Sequence, residues 1–471
     1  MLWVAAFLLV FQTPDYDAEG TKALDSGKYE AAADSFTKAI AADPQDYYAH
    51  FKLAMAYSFL HKDAEGLAEY RKTLELKPGL YEAELNAGIL LLLQQNPADA
   101  LPLLDDAATQ KPKEYAPHFN LAMAYTFLHK DAEGVAEYRK TLELKPGLYE
   151  AELNAGILLL RQQNPADALP LLEDAAVQKP KEYGPRFYLA EAQLQSGLAD
   201  KAMENYRLAT EIDPKSAPAE LGWGRALALQ GKLDDATPHF RQAIERDPKY
   251  RESLLSLGEL YEENKQTTEA IAIYREFPEN AAVQERIGKL LIENHKYSEA
   301  LAPMEQAYQK SPTPYNRKAL AAAYLQAQQL DKALPLLQKA VADEPANYDL
   351  RMGYAHALRD RRQFIPAAIQ FHEAAKLKPT ESKIWTELGA MLYMAGDHPN
   401  ALDALEQARK LGDDTPGNWF LTAIMLDGAH QLKPALAAYG KFLAQSQGKS
   451  PDQEFQARQR SKIIQRELDK R

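Results

Sequence analysis

The 471-residue chain contains no cysteine, which excludes disulfides, thiolate metal sites and cysteine nucleophiles together. It also lacks a basic balance. Against 55 Lys and Arg stand 67 Asp and Glu, for a net charge of −12, and the only locally basic stretch is the last twenty residues. Counterion-driven binding to phosphates needs a basic face, so nucleic acid is not an expected partner. Long hydrophobic runs are missing too. The ten apolar residues from Leu2 to Phe11 fall well short of the ~20 needed to span a bilayer, so no stable membrane span is expected. A run of this length suits the core of a secretory signal, although no Lys or Arg precedes it and no small-x-small cleavage pattern follows. Residues 1–12 are therefore expected to be a signal-peptide remnant, with a periplasmic or secreted location. The alternatives are an apolar plug on the first repeat and a cytoplasmic location.

Catalytic signatures are equally absent. There is no nucleophile elbow and no phosphate loop. The sequence HEAAK, His372 to Lys376, starts like a zinc-protease motif but has no second His four residues on. His50 and His61, with their copies His118 and His129, fall about three helical turns apart, too far for joint ligation on one helix, and no acidic cluster repeats with them. These read as solvated or turn histidines. No enzyme activity, catalytic residue, metal ligand or cofactor is expected.

What the chain has instead is repetition. AEYRKTLELKPGLYEAELNAGILLL occurs unchanged at residues 68–92 and 136–160, inside a block in which 47–114 matches 115–182 at all but eight positions. The true period is half that offset, because Pro44, Pro78, Pro112, Pro146, Pro180, Pro214 and Pro248 each stand 34 residues after the last. Periods of this size mark arrays whose units bury their apolar faces only against their neighbours. Within residues 47–80, Phe51, Leu53, Ala54 and Tyr57 fall at helical spacing. A break follows at His61–Asp63, Gly66, Tyr70 and Thr73 mark a second helix, and Lys77–Pro78–Gly79 ends it, since proline removes an amide donor and pushes its predecessor out of the helical region. Small residues recur where two helices must approach closely, at Gly20, Ala54, Gly88, Ala122 and Gly156 in first helices and at Ala32, Gly66, Ala100, Gly134 and Ala168 in second helices.

This pattern resembles the tetratricopeptide repeat: a large residue, then Leu-Gly, Tyr, Ala, Phe or Tyr, Ala, and a closing Pro. The resemblance implies an all-α solenoid of antiparallel helix pairs in a right-handed superhelix, with about thirteen repeats starting near residues 13, 47, 81, 115, 149, 183, 217, 251, 281, 314, 348, 382 and 416. The eighth unit is short, ending at Glu276–Phe277–Pro278, and is expected to separate an N-terminal array (13–280, about eight repeats) from a C-terminal one (281–449, about five). Pro102, Pro170, Pro238 and Pro335 lie in second helices, early enough that the lost hydrogen bond is mild. Residues 450–471 read as a capping helix with Phe455, Ile463, Ile464 and Leu468 inward and Arg458, Arg460, Lys462 and Arg466 outward.

Function then rests on surfaces, since a fold does not specify one. The resemblance places first helices along a concave groove. Asn86, Asn120 and Asn154, continued upstream by Lys52, recur there once per repeat. An amide that both donates and accepts can pair with a peptide backbone in either polarity. The repeat region of O-linked N-acetylglucosamine transferase and its relatives looks similar, with an asparagine ladder gripping substrate peptides. A second row is apolar: Phe51, Leu85, Phe119, Leu153 and Phe187, with Phe59 and Phe127 further along. Aromatic residues supply binding hot spots, and packing between adjacent repeats is the competing use. The Lys/Asn/Arg clamp by which some family members hold a terminal carboxylate is not reproduced. The expectation is a non-catalytic scaffold binding proteins or extended peptides. The alternative is a structural or self-associating spacer.

Overall fold

Each 34-residue period folds as two antiparallel helices in the computed structural model, which describes residues 15–470; the expected signal segment 1–12 lies outside the described residues. The helices pair in chain order: α1 (Tyr16–Asp25) with α2 (Tyr29–Ala42), α3 (Tyr47–Phe59) with α4 (Asp63–Leu76), α5 (Tyr81–Leu93) with α6 (Pro97–Gln110), α7 (Tyr115–Phe127) with α8 (Asp131–Leu144). There follow α9 (Tyr149–Arg161) with α10 (Pro165–Gln178), α11 (Tyr183–Gln195) with α12 (Ala199–Ile212), α13 (Ala217–Leu229) with α14 (Leu233–Arg246). A 3-10 turn at Pro248–Glu252 leads into α15 (Ser253–Glu263) and α16 (Thr267–Tyr274). Next come α17 (Ala281–Glu293) with α18 (Tyr297–Lys310), α19 (Pro314–Gln326) with α20 (Leu330–Asp343), α21 (Tyr348–Asp360) with α22 (Phe364–Leu377). The last are α23 (Ser382–Met394) with α24 (His398–Lys410), α25 (Pro416–Gly428) with α26 (Leu432–Ser446), and a final α27 (Pro451–Asp469). Among the described residues twenty-six helices thus make thirteen pairs and the twenty-seventh follows them, an all-α solenoid of helix pairs. Two compact units divide between Leu257 and Gly258, within α15. The short eighth repeat, expected to separate two arrays near 277–281, is itself crossed by that boundary, and its second helix, α16, has only eight residues.

The small residues do the work their positions suggest. A Cβ added to Gly88 would lie 2.6 Å from Leu104, one at Gly156 2.5 Å from Leu172, one at Gly288 2.2 Å from Met304. In each case a large residue sixteen positions on, in the paired helix, fills the space that glycine leaves. In repeats with alanine at that point, the large residue is a fully buried Tyr70, Tyr138 or Tyr206. The tyrosine reaches forward to the next repeat instead: a Cβ at Gly222 would meet the Tyr206 ring at 2.3 Å.

Two recurrent devices join the helices. Every pair turns through one residue with φ between +54° and +82°, among them His61, Gln95, His129 and Gln163 beside Gly27, Gly197, Gly231 and Gly396. The left-handed residue lets the following amide reach back into the last helical turn, as Lys62 N–H does to Tyr57 O at 2.9 Å. The second device gives the Lys-Pro closure a purpose beyond punctuation. Lys77 Nζ sits 4.3 Å from the centroid of the Tyr47 ring that opens its repeat, Lys111 3.8 Å from Tyr81, Lys145 4.2 Å from Tyr115 and Lys378 3.6 Å from Tyr348. Each such contact contributes about 0.5–1 kcal/mol at an exposed site.

The C-terminal helix departs in part from its expected register. Ile464 and Ala457 are fully buried and Glu454 nearly so, whereas Phe455 and Ile463 face outward. Arg460, expected outside, turns in: its Nε and Nη2 donate to both carboxylate oxygens of buried Asp427, at 2.7 and 2.6 Å. The inward stripe runs 454, 457, 464 and 468, so Ile464 and Leu468 lie inward as expected while Phe455 and Ile463 do not. The prolines inside second helices include a fifth, Pro303.

Two buried carboxylates make a testable pH signature. Glu84 and Glu152 occupy the same position in their repeats, nearly inaccessible to solvent. Desolvation pushes both above the ordinary carboxylate range, with Asp106 and Asp174 adding to it, while Gln110 and Gln178 donate hydrogen bonds that oppose it. A raised folded-state pKa means that the folded chain holds more protons than the unfolded one in the window above the ordinary value, so this contribution to stability falls as pH rises through that window. The double substitution Glu84→Gln, Glu152→Gln is therefore expected to raise the melting temperature at neutral pH and to leave it unchanged near pH 3.5, where both carboxyls are protonated in either state. Circular-dichroism melts at the two pH values check this; equal melting temperatures at neutral pH would contradict it.

Candidate protein-binding face

Several neighbouring first helices in the first unit touch directly, α5 with α7, α9 with α11 and α11 with α13, which brings outward side chains of adjacent repeats side by side. The structure sorts the sequence-predicted rows by what each side chain already touches. Lys52 is buried, its Nζ donating to Thr21 Oγ1 and standing 4.2 Å from the Tyr48 ring centroid. Asn86 and Asn154 meet the hydroxyls of Tyr70 and Tyr138, the tyrosines that reach forward from the preceding repeat. Burial, the larger effect, pushes both tyrosines up. Asn120 has no such neighbour, because residue 104 is leucine. Its Nδ2 donates to Ala116 O of its own helix at 2.8 Å, leaving the amide oxygen for other use.

The apolar row is half-buried. Phe51 lies against Tyr70 with ring centroids 5.8 Å apart, Phe119 against Tyr138 at 5.9 Å and Phe187 against Tyr206 at 6.1 Å. Leu85 and Leu153 pack on the same cores. The side chains standing clear are those at the ends of the first helices: Phe59 is 51% exposed, Leu93 66% and Phe127 54%. They recur at 34 residues, one per repeat. Phe59 stacks on Tyr29 at 4.6 Å. Leu93 and Phe127 line a pocket of about 540 Å³ together with Ile89, Leu92, Met123 and Asn120. The structure thus brings Asn120 and Phe127 into one site. Leu93 was not singled out by sequence reasoning, although it stands midway between Phe59 and Phe127 in the register.

The duplicated block did not stay uniform here. Where one copy has Leu93 the other has Arg161, whose guanidinium reaches back to His129 Nδ1 at 3.0 Å and Asp131 at 3.1 Å. The apolar surface therefore ends at Phe127. His61 and His129 are turn residues, as expected, but His50 and His118 are not solvated. Each is buried with Nδ1 against a glutamate nineteen residues on, Glu69 at 2.5 Å and Glu137 at 2.7 Å, and Glu220–His239 repeats the pairing with partners exchanged at 2.7 Å. These pairs tie the first helix to the second. Among the described residues no three His, Asp or Glu gather as a metal cluster, and no helix is long and apolar enough to cross a membrane.

The family model described as Tetratricopeptide repeat matches residues 18–81, 153–217 and 221–285. These three stretches carry tetratricopeptide repeats. Helix pairs fill the stretches between and beyond those matches as well, so paired helices occupy nearly all of the described chain. It is similar to DnaJ homolog subfamily C member 3 of Gallus gallus, 23% identical over 365 residues, which span 73% of this chain and 69% of that protein. It is similar also to BBSome complex member BBS4 of Mus musculus, 27% identical over 375 residues, 76% of this chain and 71% of that one. A shorter match, 35% identical over 99 residues, is to Tetratricopeptide repeat protein 21B of Homo sapiens, covering 20% of this chain and 8% of that one. Among solved structures, MamA 41-end from Desulfovibrio magneticus RS-1 aligns with 36% of this chain and 96% of its own, at 22% identity and a TM-score of 0.34.

Proposed function

We propose that this tetratricopeptide-repeat protein is a non-catalytic scaffold that holds an extended segment of a partner protein along the first helices of residues 47–127. The observation that carries the reading is the row Phe59, Leu93 and Phe127, each more than half exposed and separated by one repeat, with a pocket of about 540 Å³ between the last two. A solvated apolar row costs free energy unless something covers it. Its spacing suits a partner that offers an apolar side chain at intervals, with Asn120 placed to accept a backbone N–H beside the pocket. Large exposed side chains over a pocket are the residues on which binding energy concentrates.

The test is affinity capture followed by mass spectrometry, comparing the native chain with Leu93→Glu, Phe127→Glu. Both sites are exposed, so helicity should not change, while proteins held through this face are expected to be lost by at least about thirtyfold, ~2 kcal/mol. Asn120→Ala alone is expected to reproduce the loss caused by the triple change Asn86→Ala, Asn120→Ala, Asn154→Ala, because the other two amides serve tyrosine hydroxyls. Capture that survives the two glutamates would refute the reading.

A further inference from the structure

The second unit carries a different opening, on the second-helix side. Four junctions between adjacent second helices are tied at one register by opposite charges: Arg71 to Asp99 at 3.9 Å, Arg139 to Asp167 at 2.7 Å, Arg275 to Glu299 at 3.7 Å and Glu305 to Lys332 at 3.2 Å. Between α22 and α24 the same register holds His372 and Asn400, which form no such bridge. A groove of about 880 Å³ opens there over α23. Ile365 and Ile369 form its apolar wall, 63% and 54% exposed. Leu388 and Leu392 are its floor, and Asp397 and Asp403 stand on the far wall. Among the groups lining it are three carboxylates and one histidine, with no Lys or Arg. Glu373 is paired with Lys376 at 2.6 Å and Asp397 with the Asn400 amide at 2.7 Å, whereas Asp403 has no partner among the described residues. The groove is thus apolar on one side and anionic on the other.

The same unit displays the complementary surface. On α27, Phe455, Lys462 and Arg466 lie within about one helical stripe, with Ile463 at its edge, and Phe455 is 64% exposed and Ile463 40%. Lys462 and Arg466 have no ion-pair partner among the described residues. The opposite stripe, Ala457 and Ile464, is fully buried in the core shared with α26, so α27 is held in place and cannot leave to fill its own chain's groove without unfolding the last repeat.

We propose that the α22–α24 groove receives the outward face of α27 from a second copy of this chain. Phe455 and Ile463 would lie against Ile365, Ile369 and the Leu388–Leu392 floor, and Lys462 and Arg466 would meet Asp403 and Asp397. A helix laid into an apolar groove with charges matched along one edge is a common mode of recognition. Because groove and donor helix are different surfaces, the contact is heterologous and extends head to tail unless two copies exchange helices. This inference does not depend on the first-helix face.

Sedimentation velocity of the full-length chain across a concentration series tests it. The mass is expected to grow reversibly with concentration and to fall back in high salt, which screens exposed charges. Asp403→Lys, and separately Lys462→Asp, are each expected to weaken association about tenfold, and the two together to restore it, since the pair is then reversed. Ile369→Glu is expected to abolish association with helicity unchanged. A fluorescein-labelled Leu/Lys amphipathic helical peptide serves as a second probe. A chain that stays monomeric while that peptide binds would overturn the second copy in favour of a foreign basic helix. A chain that stays monomeric without binding the peptide, or charge variants that show no rescue, would overturn it outright. Loss of association with capture by the first-helix face intact separates this result from the scaffold reading.

Discussion

Gly156→Val is expected to unfold the fifth repeat locally and to split the thermal transition of the chain. A Cβ at Gly156 would lie 2.5 Å from Leu172 Cγ and 2.6 Å from Cδ2, and Leu172 is fully buried. Neither atom can give way, because Leu172 is enclosed by Ala155, Ala168 and Ala176 within one core, so α9 and α10 must part. Overpacking of this kind costs ~1–3 kcal/mol and occasionally more. A β-branched side chain, stiff at χ1 in a helix, stands at the upper end. In a solenoid the damage concentrates where it is made, since each unit is held only by its neighbours. Hydrogen exchange should accelerate over residues 149–182 before it does elsewhere. The control is Gly353→Ala in α21, where an added Cβ meets nothing within 4 Å; it should stabilise by up to ~1 kcal/mol through helix propensity. A single unshifted transition for Gly156→Val would show that the close approach of α9 and α10 is not required.

Phe442→Ala is expected to detach the C-terminal end of the chain while leaving the first unit intact. Phe442 is fully buried and lies 4.8 Å from the Phe420 ring centroid, in the core that seats Ala457 and Ile464 of α27. Removing a buried phenylalanine costs ~3–5 kcal/mol, and on one side the last repeat is covered by the single helix α27, which rests on the same core, so little opposes its opening. Limited proteolysis should release fragments ending before α26, with residues before Leu257 still protected. Cooperative loss of protection along the whole chain would contradict nearest-neighbour stability. The anchoring of α27 has a second part. Glu454 accepts from Ser446 Oγ and Gly448 N–H, which hold its carboxyl below the usual range. That part of the anchoring is fully present above the ordinary carboxylate pKa and is lost as pH falls through the folded-state value.

Much of the fold was legible because each structural duty recurs at one register. Glycine opposite a bulky residue at Gly88 and Gly156 could be read from alternation alone, and so could the helix breaks at the Lys-Pro steps. The left-handed turn was visible in principle as well. One column alternates Gly27, Gly197, Gly231 and Gly396 with His, Gln, Lys and Arg, and such a column marks a positive φ that non-glycine residues tolerate at some cost. The lysine-on-tyrosine contacts were harder, since Tyr47 and Lys77 are thirty residues apart and meet only when both helices are in place. The candidate rows were half legible. The sequence puts Asn86, Asn120 and Asn154 at one register, but whether each is free depends on residue 70, 104 or 138, which belongs to the preceding repeat. Tyrosine there engages the amide, and leucine leaves it. Leu93 escaped notice because an apolar residue ending an apolar run looks like core until the helix is seen to end in solvent.

The amino-acid order by itself determined the period, the pairing of helices and the positions of close approach, because those depend on side-chain size and backbone freedom at fixed intervals. It also decided that α27 follows the last pair. Tertiary structure decided which stripe of α27 turns inward, which asparagines remain available, why His50 and His118 are buried, and where adjacent second helices lack a charge bridge and leave a groove. Those outcomes turn on contacts across repeats, where a shift of one position along a 3.6-residue helix rotates a side chain by about 100° and exchanges core for surface.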